Sequence, residues 1–86
     1  PEQKEQAVVI RQAMLQARDE FQAGGDVSKV KEHAAAMIEG VPGTSIDYLE
    51  IVDAETMQPL AVNRKPALMA AAVYFGDVRL IDNIEL

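Results

Sequence analysis

The chain has no cysteine and a single histidine among its 86 residues. Without cysteine there is no disulfide framework and no thiolate nucleophile. Basic residues are in the minority, with eight lysines and arginines against fourteen acids and a net charge of −6. Nucleic acids and anionic membranes are held by a basic stripe, and here the positive charges are scattered, so neither is an expected partner. Long apolar runs are missing as well. The longest, Ala67 to Phe75, falls far short of the roughly 20 residues that cross a bilayer. No signal-peptide pattern opens the chain, which makes the cytoplasm the expected location. Repeats and low-complexity segments are also absent.

What is present suits one small folded domain, residues 1–86, since the length leaves no room for two. A hydrophobic content of 49% supplies a core and argues against disorder. Pro1 to Ala23 predicts a long helix. Its apolar stripe is Ala7, Ile10, Met14, Ala17 and Phe21, at three- and four-residue steps. Pro1 suits the first helical turn, and Glu2 and Glu5 complement the positive end of the helix dipole. Val8, Val9 and Leu15 fall off the stripe, so this helix is expected to be covered on more than one side. Gly24-Gly25 ends it. Asp26 or Ser28 then caps a second helix to about Glu39, with Val27, Val30, Ala34, Met37 and Ile38 on its buried face. Gly40, Pro42 and Gly43 break it.

From Thr44 the period changes. Ile46, Tyr48 and Val52 alternate with Leu49 and Ile51, and apolar residues on both faces predict a central strand. Ala54 to Pro59 is polar and turn-like, and Arg64, Lys65 and Pro66 form a second polar joint. The alanines of Ala67 to Phe75 favour helix by intrinsic propensity. The Gly76-Asp77 turn and the β-rich run after it favour strand, and the strand reading prevails. Pairing across that turn sets Phe75 opposite Val78, Val73 opposite Leu80 and Met69 opposite Ile84 on the face meant for the helices. Tyr74 opposite Arg79 and Ala72 opposite Ile81 take the other face. The predicted fold is a two-layer α+β domain, with two helices on a three-stranded, mostly antiparallel sheet.

Candidate sites are few. His33 borders the apolar stripe of the second helix, where a carboxylate from the facing helix can partner it; a half-exposed structural histidine is the expectation. Asp47, Glu50, Asp53 and Glu55 lie close together, but Asp47 and Asp53 share a strand face while Glu50 points away. The set therefore does not converge on a metal. The glycines around Pro42 precede a strand and no lysine-serine pair, so they make no phosphate loop. Arg79, Asp82 and Asn83 look most like a site. Arg79 has the chemistry to grip a carboxylate or phosphate, but it has the opposite side-chain parity to Asp82. The expected arrangement has its guanidinium near Tyr74 and paired with an acid, with Asn83 ending the strand. No residue is assigned a catalytic, cofactor-binding or metal-binding role.

Three segments carry a family resemblance across essentially the whole chain. VRLIDNIEL (Val78 to Leu86) resembles the closing RLIDN segment of the pantothenate synthetases, also called pantoate–β-alanine ligases. IDYLEIVDAETMQPL (Ile46 to Leu60) is similar to a strand and turn of that family. PEQKEQA (Pro1 to Ala7) is similar to the P-E-x-R-x-x-A start of a family helix, with Glu5 where arginine is common. The resemblance implies a C-terminal lid domain of a longer enzyme, with a nucleotide-binding domain in front of it. It further implies an ATP- and Mg²⁺-dependent reaction, in which pantoate is activated as an adenylate and β-alanine attacks to give pantothenate and AMP. The ATP motif, the pantoate pocket and the serine-serine-arginine segment of the family have no match here. This segment is therefore expected to be inactive alone and to hold no cofactor, with Val8, Val9 and Leu15 touching the missing domain. The abrupt start at Pro1, inside a helix signal, favours that reading over the alternative of a free-standing interaction module.

Overall fold

The computed structural model describes the backbone of residues 2–86 and the side chains of residues 7–86. The roles expected of Pro1, Glu2 and Glu5 lie outside the described residues. Two helices, α1 (Glu2–Gln22) and α2 (Val27–Glu39), precede three strands, β1 (Thr44–Asp53), β2 (Ala67–Phe75) and β3 (Val78–Glu85). The sheet order is β1-β2-β3 with both pairings antiparallel. The helices cover one face, which makes the α+β, two-layer expectation correct.

On α1 the buried stripe is Ile10, Ala13, Met14, Ala17 and Phe21. Ala7 is exposed, contrary to expectation, and Ala13 takes part instead, because the stripe meets the rest of the fold only from Ile10 onward. The helix closes in a Schellman turn. Gly25 N–H donates to the Glu20 carbonyl at 2.9 Å and Gly24 N–H to that of Phe21 at 3.0 Å, with Gly24 at φ 91°. That left-handed conformation suits glycine. Asp26 is the cap of α2, its carboxylate accepting from the Lys29 N–H at 3.2 Å. Val27, Val30, Ala34 and Ile38 then face the core, with Met37 half-buried beside them. The Thr44 hydroxyl fastens the end of α2 to the start of β1 through the carbonyls of Ile38 (3.1 Å) and Val41 (2.9 Å).

The β2–β3 hairpin has the expected register throughout, from Phe75 opposite Val78 to Met69 opposite Ile84. Gly76, at φ 60°, occupies the first central position of its turn, where a type II′ turn requires glycine-like geometry. The β1 expectation needs correcting. β1 is an edge strand, and β2 is the central one. A bulge between Ile46 and Tyr48 adds one residue, which reverses side-chain parity along the strand. Ile46 before the bulge and Leu49 and Ile51 after it therefore belong to the helix-facing row, opposite Val73, Ala71 and Met69. Apolar residues at both parities reflect that switch rather than two-sided burial. Asn83 also differs from expectation. It lies within β3, opposite Ala70, and the strand continues to Glu85.

The segment between β1 and β2 folds back on the molecule. Pro59 bridges to Val52, and Leu60 is buried, its N–H donating to the Ile51 carbonyl at 3.0 Å. The Asn63 amide donates to the carbonyls of Phe21 and Gly25, both at 2.8 Å. That single side chain ties the loop to the turn between the helices.

Candidate functional site

The outward face of the sheet collects the polar and aromatic groups that looked most like a site. Arg79 on β3 stands opposite Tyr74 on β2, which stands opposite Ser45 on β1. Its guanidinium reaches across β2 to Asp47, with Nε at 3.2 Å and Nη2 at 2.9 Å from the same carboxylate oxygen. The bulge is what brings Asp47 there, and it breaks the expected pairing of Asp47 with Asp53 on one strand face. Asp53 sits opposite Ala67 in the helix-facing row. Donating these hydrogen bonds to the Asp47 carboxylate raises the pKa of Arg79, so the group stays charged and engaged. Arg79 is thus a strap across all three strands, with its acid partner already in place.

The other candidates do not join it. Asp82 points to the helices and pairs with Arg11 of α1 at 3.0 Å, as its parity relative to Arg79 requires. Glu50 pairs with Lys31 of α2 at 3.6 Å. Asp53 organises the turn after β1, accepting from the N–H groups of Glu55 (2.8 Å) and Thr56 (3.1 Å), with Arg64 at 3.3 Å. Those backbone hydrogen bonds, Glu55 first and then Thr56, hold its carboxyl below the usual 3.8 against the opposing effect of burial, and the Arg64 charge adds a lesser lowering. Glu55 itself is exposed. His33 Nδ1 meets Glu20 Oε1 at 2.5 Å, joining α2 to α1, and the histidine is half-exposed as expected. Gly40 caps α2, and Gly43 directly precedes β1.

Among the described residues, no three histidine, cysteine, aspartate or glutamate groups are placed to hold a metal ion. No described helix is long and apolar enough to cross a membrane. A shallow concavity of about 450 Å³ lies by Ala54, Lys65, Pro66, Ala67, Glu85 and Leu86, with Lys65 and Glu85 as the ionisable side chains of its lining. Around the Asp47–Arg79 strap, however, the outward face is apolar and open. Tyr48, Tyr74 and Ile81 are exposed, while Ala72, between Tyr48 and Ile81 in register, is fully buried. Asp47, Thr44 and Asn63 acquire their roles from a bulge and from loop packing, which leave no periodic signal. The polar joint before Pro66 was the only hint of the last.

A family model for pantoate-beta-alanine ligase matches residues 1–85. The chain belongs to that family. It is 94% identical over 86 residues to the pantothenate synthetase of Akkermansia muciniphila, an alignment covering 100% of this chain and 31% of that protein. The pantothenate synthetase of Trichlorobacter lovleyi is 40% identical over 99% of this chain and 30% of its own length. In three dimensions the chain resembles the crystal structure of pantothenate synthetase from Thermus thermophilus. The TM-score is 0.89 at 35% identity, covering 99% of this chain and 31% of that one. The chain therefore spans less than a third of the length of the ligase-family relatives it matches, as a C-terminal portion of the enzyme.

Proposed function

We propose that residues 1–86 act as one domain, the closing lid of a pantoate–β-alanine ligase. In this reading the whole enzyme uses ATP and Mg²⁺ to convert pantoate to pantoyl adenylate, and β-alanine then displaces AMP to give pantothenate. The observation that carries the reading is the 94% identity along the entire chain to a pantothenate synthetase more than three times as long. The reaction belongs to the nucleotide-binding domain in front, and the lid limits access of water to the adenylate when it closes. The cytoplasmic location expected from the sequence fits an enzyme acting on ATP and small metabolites.

Ion pairs among the described residues support that division of labour. A triphosphate needs several donors aimed at one point. Here Arg11, Arg64 and Arg79 are held separately by Asp82, Asp53 and Asp47, and Lys29 and Lys31 by Glu32 and Glu50. No catalytic step is assigned to this segment. The test is to supply ATP, Mg²⁺, pantoate and β-alanine to the full-length enzyme and, separately, to the 86-residue chain, and to measure AMP and pantothenate. The full-length enzyme should form both and the short chain neither. AMP formation by the short chain above a heat-treated control overturns the division of labour. An inactive full-length protein overturns the function.

A further inference from the structure

Large apolar side chains in solvent are few. On α1, Leu15 packs against the core and Val9 is half-buried, so of the off-stripe residues only Val8 is exposed. The loop between β1 and β2 adds Met57, at 57% exposure. The chain has four methionines, and Met57 is unlike the rest. Met14 and Met69 have no exposed surface, and Met37 is half-buried against the core. In those three places the flexible thioether fills apolar space. At Met57 it fills none.

The backbone at this position is unusual too. Among the described residues Met57 is the one non-glycine residue with a positive φ, 63°. That left-handed conformation is unfavourable for a side chain with a Cβ and is ordinarily taken by glycine or asparagine. The turn around it is fixed by other groups. Met57 N–H donates to the Asp53 carbonyl at 2.7 Å, and Asp53 N–H donates to the Gln58 carbonyl at 2.8 Å. The Asp53 carboxylate accepts from the Glu55 and Thr56 N–H groups, and the Thr56 hydroxyl accepts from Gln58 N–H at 3.3 Å. None of these contacts uses the Met57 side chain. The position therefore carries two local costs, a left-handed backbone and an apolar group in water, without a packing gain. Such an outlier points to a use of the side chain itself. A thioether is uncharged and a weak acceptor, and its distinctive reaction in water is oxidation to the sulfoxide.

We propose that Met57 is a reversible sulfoxidation site whose oxidant is a hydroperoxide. A lone pair of the Met57 sulfur attacks one peroxide oxygen. The S–O bond forms as the O–O bond breaks, and the proton of the attacked oxygen passes through solvent to the departing oxygen, which leaves as water or an alcohol. The thioether loses two electrons and the peroxide gains them. The fold accepts the product, because the new oxygen lies in solvent and the turn's hydrogen bonds are untouched. The same change at Met14 or Met69 would place an unpaired polar oxygen in the core. The site does not depend on the lid assignment.

The test treats the full-length ligase with hydrogen peroxide at neutral pH and follows each methionine of this segment by mass spectrometry of its peptides. Met57 should gain one oxygen first. Met14 and Met69 should react on the order of tenfold more slowly or less, since a core sulfur is reached only in the small fraction of molecules that open locally. In guanidinium the four should react at similar rates, which shows that the native difference comes from the fold. Methionine sulfoxide reductases should return Met57 to the thioether in the native protein, and protein oxidised at Met57 should keep the urea midpoint of a Met57→Leu variant. The proposal is overturned if native Met57 reacts no faster than Met37, Met14 or Met69. It is equally overturned if the reductases leave the sulfoxide in place, or if oxidation at Met57 lowers the midpoint below that of the variant.

Discussion

The two faces of the sheet are built from the same three strands and do opposite work. Toward the helices, Ile51, Met69, Ala71, Val73 and Ile84 are buried and packed with Met14, Phe21, Val30 and Ile38. Away from them, Tyr48, Tyr74, Arg79 and Ile81 stand in solvent around Ala72. The first face carries the stability of the fold. The second carries little of it and is free to meet another surface. The contrast teaches that a sheet packed on one face only leaves its other face for contacts beyond the fold.

Substitutions can break this comparison, the largest effect first. Met69→Ala on the inner face empties a fully buried site and should cost about 2–5 kcal/mol in a urea melt of the 86-residue chain. A shift of a few tenths would mean that the inner face is not the core. Gly25→Ala comes next. A Cβ there would lie 2.7 Å from the Glu20 carbonyl oxygen and 3.2 Å from Val30 Cγ2. The backbone oxygen cannot step aside, so the loss should be about 1–3 kcal/mol. An unchanged melt would show that the turn between the helices is looser than its hydrogen bonds indicate.

On the outer face the effects shrink. Arg79→Ala should lower the urea midpoint by less than either, and leave full-length turnover near normal well below the melting temperature. Asp47→Ala should match it, and the double variant should add little, because both remove the same contact. A hundredfold fall in turnover with an unchanged melt would make Arg79 a site residue. Asp53 sharpens the comparison through pH. Its folded pKa lies below the usual 3.8, so its contribution is present above that value and is lost as pH falls through the folded pKa. Asp53→Asn should therefore melt earlier than the parent chain at neutral pH and converge with it in acid. A gap that persists or widens in acid would contradict the assignment.

Much of the fold was legible because its signals are local. Gly76-Asp77 set the hairpin register residue by residue and overrode the helical propensity of the alanines in β2. Gly24-Gly25 and Asp26 marked the helix junction. The bulge at Asp47 was not legible. One extra residue turns a regular alternation into an apparently two-faced strand, and with it an edge strand read as central. Asn63 and Leu60 escaped notice because loop residues gain their partners from tertiary packing, which has no period in the sequence. The candidate site was legible only in part. The parity of Arg79 and Asp82 kept them apart correctly, but the acid that holds Arg79 became visible only with the bulge.

The division of labour between the two faces is tested most directly by Ile81→Arg, followed in two assays. One is the urea melt of the 86-residue chain. The other is pantothenate formation by the full-length ligase carrying the same change. Ile81 is exposed, so the melt should stay within about 0.5 kcal/mol of the parent chain. Turnover of the ligase should fall, because an exposed apolar side chain in an otherwise polar strand row marks a surface that meets another. Unchanged turnover with an unchanged melt would contradict the account, because the outward face would then serve neither stability nor closure.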